Sequence, residues 1–356
     1  MLAFTYISWH YIRYFFIILI ALVMFLIGFD YMEHSERLPE SANLVLIYLV
    51  YKSFFAIDML LPLSLVFAMI ATKISLIRSN ALVSFYSLGY SRVDVLRPFV
   101  VVSTAIIIIY IGLHGFTGFA KADEFAHNIE KNSEYLSPTK DLFFVYQDSY
   151  VYFSEMFPLQ EKALGVRFFK LVNNSLQEVV TAKEAYYVND YWLIKKAHVI
   201  IKPEDITFSS PGIVINEVED LEILHGFRPK ILDQVYEGKV NYTIKDAIEA
   251  LILLKDQNIN IDRVKWALYK MFVHPFFVPC LVVIIFFFVP LSPRFLNISL
   301  FSFGAILASL FIWGTLFVLL ELSNNKTISS EVGVVSPVVL LFLVALRQWR
   351  KYRLTT

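Results

Sequence analysis

The sequence predicts a membrane α-helical protein with six transmembrane helices and an all-β domain inserted between helices 3 and 4. Two observations lead to this fold class. Of the 356 residues, 57% are hydrophobic and only 17% are charged, whereas a soluble domain is about half apolar and a quarter charged. The apolar residues form long runs before residue 121 and after residue 265, and a polar segment with short strand-like stretches separates them.

The apolar runs have the length that a membrane requires. A hydrocarbon core about 30 Å thick needs about 20 helical residues. Five runs meet this requirement, and a sixth is shorter but is followed by Trp349 and Tyr352, aromatic residues typical of a membrane interface. The predicted spans are Tyr14–Met32, Leu44–Ala71, Pro98–Ala120, Phe272–Leu291, Ile298–Leu320 and Val332–Leu346.

The basic residues of the short loops predict the orientation of these spans. Lys and Arg are enriched in cytoplasmic loops, and they cluster between spans 2 and 3 and in the C-terminal tail. These residues are Lys73, Arg78, Arg92, Arg97, Arg347, Arg350, Lys351 and Arg353. Both termini are therefore expected in the cytoplasm. The predicted domains are 1–120 (spans 1 to 3), 121–265 (the outer domain) and 266–356 (spans 4 to 6 and the basic tail).

The outer segment has the pattern of an antiparallel β domain. Its short stretches are rich in Val, Ile, Tyr and Phe, and turn residues separate them. The predicted strands are Leu142–Tyr146, Tyr150–Ser154, Val166–Val172, Ala185–Val188, Trp192–Ile201 and Ile213–Val218. This spacing favours a sandwich or a jelly roll. A helix that begins after Thr243 is expected to follow, as a linker to span 4.

The sequence contains no pattern of an enzyme or a nucleic-acid binder. The formal net charge is zero, so the basic surplus that neutralises phosphates is missing. The single cysteine, Cys280, excludes an intramolecular disulfide and a cysteine-rich metal site. Gly238-Lys239 lacks the other residues of a phosphate-binding loop. We therefore expect a non-catalytic chain without a cofactor of its own.

One carboxyl group in the second span invites a functional interpretation. Asp58 lies four residues before Pro62, with Lys52 earlier in the same run. Ionisable groups in a membrane persist mainly when they are used or paired. Asp58 is either a cavity-facing carboxylate, such as a proton relay, or a residue at the interface or hydrogen-bonded to a neighbouring helix; the second interpretation is favoured.

The loop between spans 2 and 3 predicts a docking helix. Residues 79–88 form a short apolar stretch, and Gly89 is typical of a helix stop. Exposed apolar side chains outside a membrane favour a partner surface, and those expected to be partly exposed here are Leu82, Val83, Phe85, Tyr86 and Leu88. Ser91 is expected to cap a second helix in this loop that ends at Pro98.

Three local motifs make the chain similar to a known family. They are Phe29-Asp30-Tyr31-Met32-Glu33-His34, Leu60-Leu61-Pro62-Leu63-Ser64-Leu65 and Asn80-Ala81-Leu82-Val83-Ser84-Phe85-Tyr86-Ser87-Leu88-Gly89-Tyr90-Ser91. With the order of spans and outer domain, they resemble the permease subunits of the lipopolysaccharide-export ABC transporter, the LptF/LptG family. The first motif is closer to the LptG branch, and the third is similar to the family's coupling helix.

The resemblance implies a function and a set of partners. It implies an inner-membrane permease with a periplasmic jelly roll, which extracts lipopolysaccharide and passes it to a periplasmic bridge of LptC/LptA-like jelly rolls. The implied membrane partner is a second, LptF-like permease. ATP is bound by an LptB-like cytoplasmic ATPase dimer. Arg78, Asn80, Ala81, Leu82, Phe85, Leu88 and Gly89 are the residues implied in ATPase coupling.

The sequence departs from the family at two places. The family usually has a glutamate where this chain has Ala81, so an interface there is expected to rely on apolar contacts. Relatives can place basic residues at the outer end of the first span, where acids outnumber Arg37 here. Arg37, Lys52 and Lys121 are the remaining candidates for contact with lipid phosphates.

The aromatic residues suggest a lipid path. We expect the first and fifth spans to line a side opening, with Phe25 and Phe311 on it, and Phe168 to lie on the route through the β domain. Asp58 is a further candidate on the path. One alternative is an ion-coupled secondary transporter that uses Asp58 and Lys52, although the two halves show no repeat. Another is a membrane-anchored signalling or adhesion protein, which has no need of six spans.

Overall fold

The computed structural model describes residues 2–130, 139–146, 149–157, 160–172, 175–203, 212–225, 242–254, 262–288 and 297–354. The chain forms two compact units. A helical unit comprises Met1–Glu130, Thr243–Lys245 and Asp262–Thr356, and a β unit comprises Lys131–Tyr242 and Asp246–Ile261.

Within the described residues, the chain has six helical segments long and apolar enough to span a membrane, so the predicted number of spans is confirmed. The first two are helices α1 (Leu2–His34) and α2 (Ala42–Arg78), and the third is α4 (Arg92–Leu113). The fourth, Val264–Phe288, joins α8 (Asp262–Phe272), a 3-10 turn (His274–Phe276) and α9 (Phe277–Phe288). The fifth is α10 (Ile298–Asn324), and the sixth joins a π-helical segment (Glu331–Val335) to α11 (Ser336–Leu354).

In the part of the chain that the structure describes, four shorter helices accompany the spans. Helix α3 (Ala81–Ser87) lies between α2 and α4, whereas α5 (Thr117–Ala120) and α6 (Ala122–Glu130) follow the third span. Helix α7 (Ile244–Leu254) begins directly after Thr243, so the predicted helix at this position is confirmed.

The third span differs from its predicted limits of 98–120. Helix α4 begins at Arg92 and ends at Leu113. Its start is fixed by a capping box, in which the Ser91 side chain accepts from the Asp94 amide and the Asp94 side chain accepts from the Ser91 amide. The prediction of a separate helix that stops at Pro98 is therefore wrong, because α4 continues through this proline.

The inserted β unit is confirmed as a single antiparallel sheet of six strands within the described ranges. The strands are β1 (Thr139–Tyr146), β2 (Ser149–Phe157), β3 (Lys162–Val172), β4 (Ser175–Val188), β5 (Tyr191–Ile201) and β6 (Val214–Ile223). Each strand pairs with the next along the chain, so the sheet order is β1 to β6.

The sheet is strongly curled. Strands β3 and β4 lie between β2 and β5 in the hydrogen-bonded order, which in a flat sheet separates β2 from β5 by about 14 Å at 4.8 Å per strand. The rings of Phe153 in β2 and Trp192 in β5 nevertheless have centroids only 5.0 Å apart. The concave face therefore closes on itself and forms a core from Leu142, Phe144, Val151, Phe153, Val166, Val180, Trp192, Ile194 and Val199, which is consistent with the predicted jelly-roll-like fold.

Gly165 is the residue that allows β3 to approach β2 closely, and it provides a test of this packing. Gly165 has φ +60°, and a Cβ atom added there would lie 2.7 Å from the Cβ of Ser154. We expect Gly165→Ala to destabilise the β unit by about 1–2 kcal/mol from the left-handed backbone alone, with the clash in addition. Limited proteolysis of the full chain in detergent measures this. Gly212→Ala is the control, because nothing lies within 4 Å of its added Cβ; equal protease resistance of the two variants would contradict the account.

Candidate functional site

Helix α3 begins and ends at residues with left-handed backbone. Asn80, before its first residue, has φ 57°, and Gly89, after its last turn, has φ 86°. The Gly89 amide donates to the Tyr86 carbonyl, and the Tyr90 amide donates to the Phe85 carbonyl. This pair of bonds is a Schellman motif, so the predicted role of Gly89 as a helix stop is confirmed.

The two faces of α3 have different environments. Leu82 is 0% exposed, so the expectation that it is partly exposed is wrong. A seven-residue helix packed on its neighbours must turn one stripe inward, and here the stripe is Leu82, Phe85 and Tyr86 at spacings of three and four. Phe85 is half-buried, and its ring lies 6.1 Å from that of Tyr6 in α1. Burial also raises the pKa of Tyr86 to about 12.

The opposite face of α3 is open. Leu88 is 73% exposed and Val83 is also exposed. Arg78 and Asn80 are exposed, whereas Ala81 is half-buried. A cleft of about 450 Å³ beside this face is lined by Leu88, Gly89, Tyr90, Asp94, Val95, Arg97, Ala3, Phe4 and Ile7. Exposed apolar side chains at the rim of a cleft indicate a protein-binding surface.

A second cluster of charged groups joins the outer ends of α1, α2 and α6. The Lys52 ammonium lies 3.3 Å from Oδ1 of Asp30 and 3.5 Å from Oδ1 of Asp123. The Tyr48 hydroxyl donates to Oδ2 of Asp30 over 2.5 Å. Asp30 therefore accepts a hydrogen bond from Tyr48 and forms an ion pair with Lys52, which fixes the C-terminal end of α1 on α2.

Glu130 extends this cluster to the loop after the first span. The carboxylate lies 3.7 Å from Nη1 of Arg37 and 4.0 Å from Nε2 of His34. Two of the three predicted phosphate contacts, Arg37 and Lys52, therefore already have acidic partners within the chain. The third, Lys121, is half-buried and also interacts within the chain. A lipid phosphate at this end has to compete with carboxylates for these cations.

Asp58 is bonded to the neighbouring third span. Nε2 of His114 lies 2.9 Å from Oδ1 of Asp58. The Tyr110 hydroxyl lies 2.7 Å from the same oxygen and 3.2 Å from the Asp58 backbone carbonyl. Pro62 has no amide hydrogen to donate to the carbonyl four residues earlier, and Tyr110 supplies a donor to that carbonyl. The hydrogen-bonded interpretation of Asp58 is therefore the one that this geometry supports.

Sequence reasoning missed the partners of Asp58. The spacing of four residues between Asp58 and Pro62 was the available signal, because it leaves one carbonyl without its helical donor. The sequence also placed Lys73 in a cytoplasmic loop, which is wrong. Helix α2 continues to Arg78, and Lys73 is 1% exposed inside the helical unit.

The aromatic residues predicted on a lipid path have different environments. Phe25 in α1 is exposed and packs on Phe29, with ring centroids 4.7 Å apart. Phe311 in α10 is 78% exposed and lines an apolar groove of about 420 Å³ between α10 and α11. Phe168 is half-buried and packs against the core of the β unit. Phe25 and Phe311 are thus outward-facing side chains of the first and fifth spans.

Comparison with known protein families identifies a match. The model of a family described as "Lipopolysaccharide export system permease LptF/LptG" matches residues 5–351 of the chain. No curated protein matches the chain.

The outer cluster yields a prediction about stability. Lys52 and Asp30 keep 13% and 15% side-chain exposure, and removing one partner of a buried ion pair leaves the other uncompensated. We expect Lys52→Met to lower stability by roughly 3 kcal/mol, the low end for buried pairs, and Asp30→Asn in the same chain to restore part of the loss. The melting temperature of the full chain in detergent measures both effects.

Lys162→Met is the matched control, because Lys162 forms its 2.8 Å ion pair with Glu184 at the surface of the β unit, where such pairs contribute little. If Lys162→Met lowered the melting temperature as much as Lys52→Met, the stabilising role of the Lys52–Asp30 ion pair would be contradicted.

Proposed function

Because this chain belongs to the LptF/LptG family of lipopolysaccharide export permeases, we propose that it is the membrane subunit of an ATP-driven lipopolysaccharide exporter. The family match over residues 5–351 is the observation that carries the proposal. The chain is a multi-pass inner-membrane permease, and in this proposal the energy comes from a separate cytoplasmic ATPase dimer. The first-span motif Phe29–His34 favours the LptG branch, with an LptF-like chain as the second permease.

Helix α3 is the proposed contact with the ATPase. The position of α3 is well fixed. A Schellman motif ends the helix, and the buried side chain of Leu82 anchors it to the helical unit. Its open face presents Val83 and Leu88, which suit an apolar groove on a partner. With Ala81 in place of the usual glutamate, these apolar side chains carry the contact in our proposal.

The β unit is the proposed site of transfer to the periplasmic bridge. In our proposal both termini lie in the cytoplasm, as the remaining basic residues of the loops favour, and the β unit then lies on the periplasmic side. Its curled sheet has an apolar concave face suited to acyl chains. Strands β1 and β6 are the edges of this sheet, and an edge strand is able to pair with a strand of another jelly roll.

The ion-coupled alternative is not favoured by the positions of its two key residues. Lys52 pairs with Asp30 and Asp123, whereas Asp58 pairs with Tyr110 and His114. The two side chains belong to separate clusters, so they do not form the single ion site that this alternative uses.

The proposed ATPase contact predicts the effect of a charge on the open face of α3. We expect Leu88→Lys to reduce the amount of ATPase that co-purifies by about tenfold or more, the effect of losing an apolar hot spot. A cation is compatible with the C-terminal end of the helix dipole, so α3 itself should persist. Quantitative immunoblotting of the purified complex measures the retained ATPase.

Leu176→Lys is the control, because Leu176 is an exposed leucine in β4 of the β unit. The proposed docking fails if both variants retain the ATPase equally.

The proposed lipid path predicts contacts that depend on ATP. We expect photo-crosslinking amino acids at Phe25, Phe311 and Phe168 to capture lipopolysaccharide more strongly during ATP turnover. Phe342 is the control, since it is an exposed phenylalanine of the sixth span outside the proposed path. Immunoblotting for crosslinked lipopolysaccharide measures the yield. Equal yields with and without ATP turnover at all three positions would contradict the proposed path.

A further inference from the structure

A buried cation connects α2 to the end of α9. The Lys73 ammonium donates a hydrogen bond to the backbone carbonyl of Phe286 and lies 3.7 Å from the centroid of the Phe286 ring. Phe286 lies near the end of α9 (Phe277–Phe288), and the residue four positions later in the sequence, Pro290, has no amide hydrogen to donate to the Phe286 carbonyl. Lys73 therefore caps α9 from another helix, and the two helix ends are held together.

A second contact joins the start of α4 to the end of α11. The guanidinium of Arg92, the first residue of α4, lies 5.6 Å from the centroid of the Tyr352 ring. The other stacking partner of Tyr352 is Phe287, whose ring is parallel to it within 7° with centroids 4.3 Å apart. Arg92, Tyr352 and Phe287 thus link α4, α11 and α9 through ring and cation contacts.

These two contacts flank α3 in the sequence. Lys73 lies five residues before the end of α2 at Arg78, and Arg92 begins α4 after the loop that follows α3. Leu82 of α3 belongs to the same buried cluster as Leu76 of α2 and Leu96 of α4. Residues 79–80 join α3 to α2 and residues 88–91 join it to α4, so a displacement of α3 is expected to act on the ends of α2 and α4 that carry Lys73 and Arg92.

We propose that Lys73 and Arg92 are positioning residues that transmit the movement of α3 to the fourth and sixth spans. This inference rests on the proposed ATPase contact of α3 and adds the internal route beyond it. In this scheme the fourth and sixth spans follow α3 through Lys73 and Arg92. Their ends follow it because α9 is capped by Lys73 and α11 is stacked under Arg92.

A buried cation suits this role better than an apolar side chain. Apolar contacts are non-directional and allow two helix ends to slide, whereas the hydrogen bond to the Phe286 carbonyl and the position over the Phe286 ring fix both distance and direction. In a membrane, breaking the contact removes a hydrogen bond from a buried ammonium and from a backbone carbonyl, which is costly. The ends of α2 and α9 are therefore expected to move as one body.

The test distinguishes loss of ATPase binding at α3 from loss of the transmission of its movement to the fourth and sixth spans. The complete complex is reconstituted in proteoliposomes, and two rates are measured: ATP hydrolysis and transfer of lipopolysaccharide to the periplasmic bridge. We expect Lys73→Met to keep the ATPase in the complex and to keep its hydrolysis, but to lower lipopolysaccharide transferred per ATP by about fivefold or more, the lower end of typical coupling between sites. Lys73→Arg should recover part of that ratio.

Three further variants guard against misfolding. Phe286→Leu and Tyr352→Leu keep Lys73 in place but remove the rings, and each should lower the same ratio with the complex still assembled. Lys326→Gln, at an exposed turn outside all these contacts, should leave it unchanged. An unchanged ratio in Lys73→Met and in both ring variants would overturn the inference. Absence of the ATPase from the wild-type complex would instead overturn the proposed function.

Discussion

The helical unit depends on one constraint, namely that an ionisable side chain in a membrane needs a partner. Before its last residue, Arg78, helix α2 carries three charged side chains, and each is paired with a different part of the chain. Lys52 binds Asp30 of α1 and Asp123 of α6, Asp58 binds Tyr110 of α4 and the adjacent His114, and Lys73 binds the carbonyl end of α9. Helix α2 is therefore held at three levels along its length, and α1, α4 and α9 are positioned by it. Because the exposed face of α3 follows directly after α2, a partner that moves α3 acts on the most highly connected helix of the unit.

The two units differ in where their apolar side chains lie. The helical unit leaves large side chains such as Phe311 on its outside, as a bilayer permits. The β unit instead curls a single sheet until Phe153 and Trp192 meet, because a β sheet in contact with water must bury one apolar face. The same apolar concave face suits the acyl chains of the proposed substrate.

The sequence predicted those features that follow from local patterns. Apolar run length identified six spans, alternation and turn residues located strands such as Trp192–Ile201, and Gly89 marked the end of α3. Features that depend on which face of a helix packs against another helix were predicted poorly. Leu82 is buried because α3 packs against α2, and no pattern within seven residues distinguishes that side from the open one. Lys73 belongs to α2 because its ammonium finds a carbonyl 213 positions away in the chain, a partner that basic-residue counting does not consider. Asp58 was recognised as important, but its partners lie on a helix whose limits were themselves misplaced.

The central claim is that this permease is driven by a separate ATPase, with which it forms a stable complex. The most direct test is purification of the intact assembly from its native membrane, followed by mass spectrometry of its subunits and a lipopolysaccharide transfer assay. The account predicts a second permease, an ATPase in two copies, and transfer that requires ATP hydrolysis. Purification of the chain without any ATPase, together with transfer driven by an ion gradient alone, would contradict it.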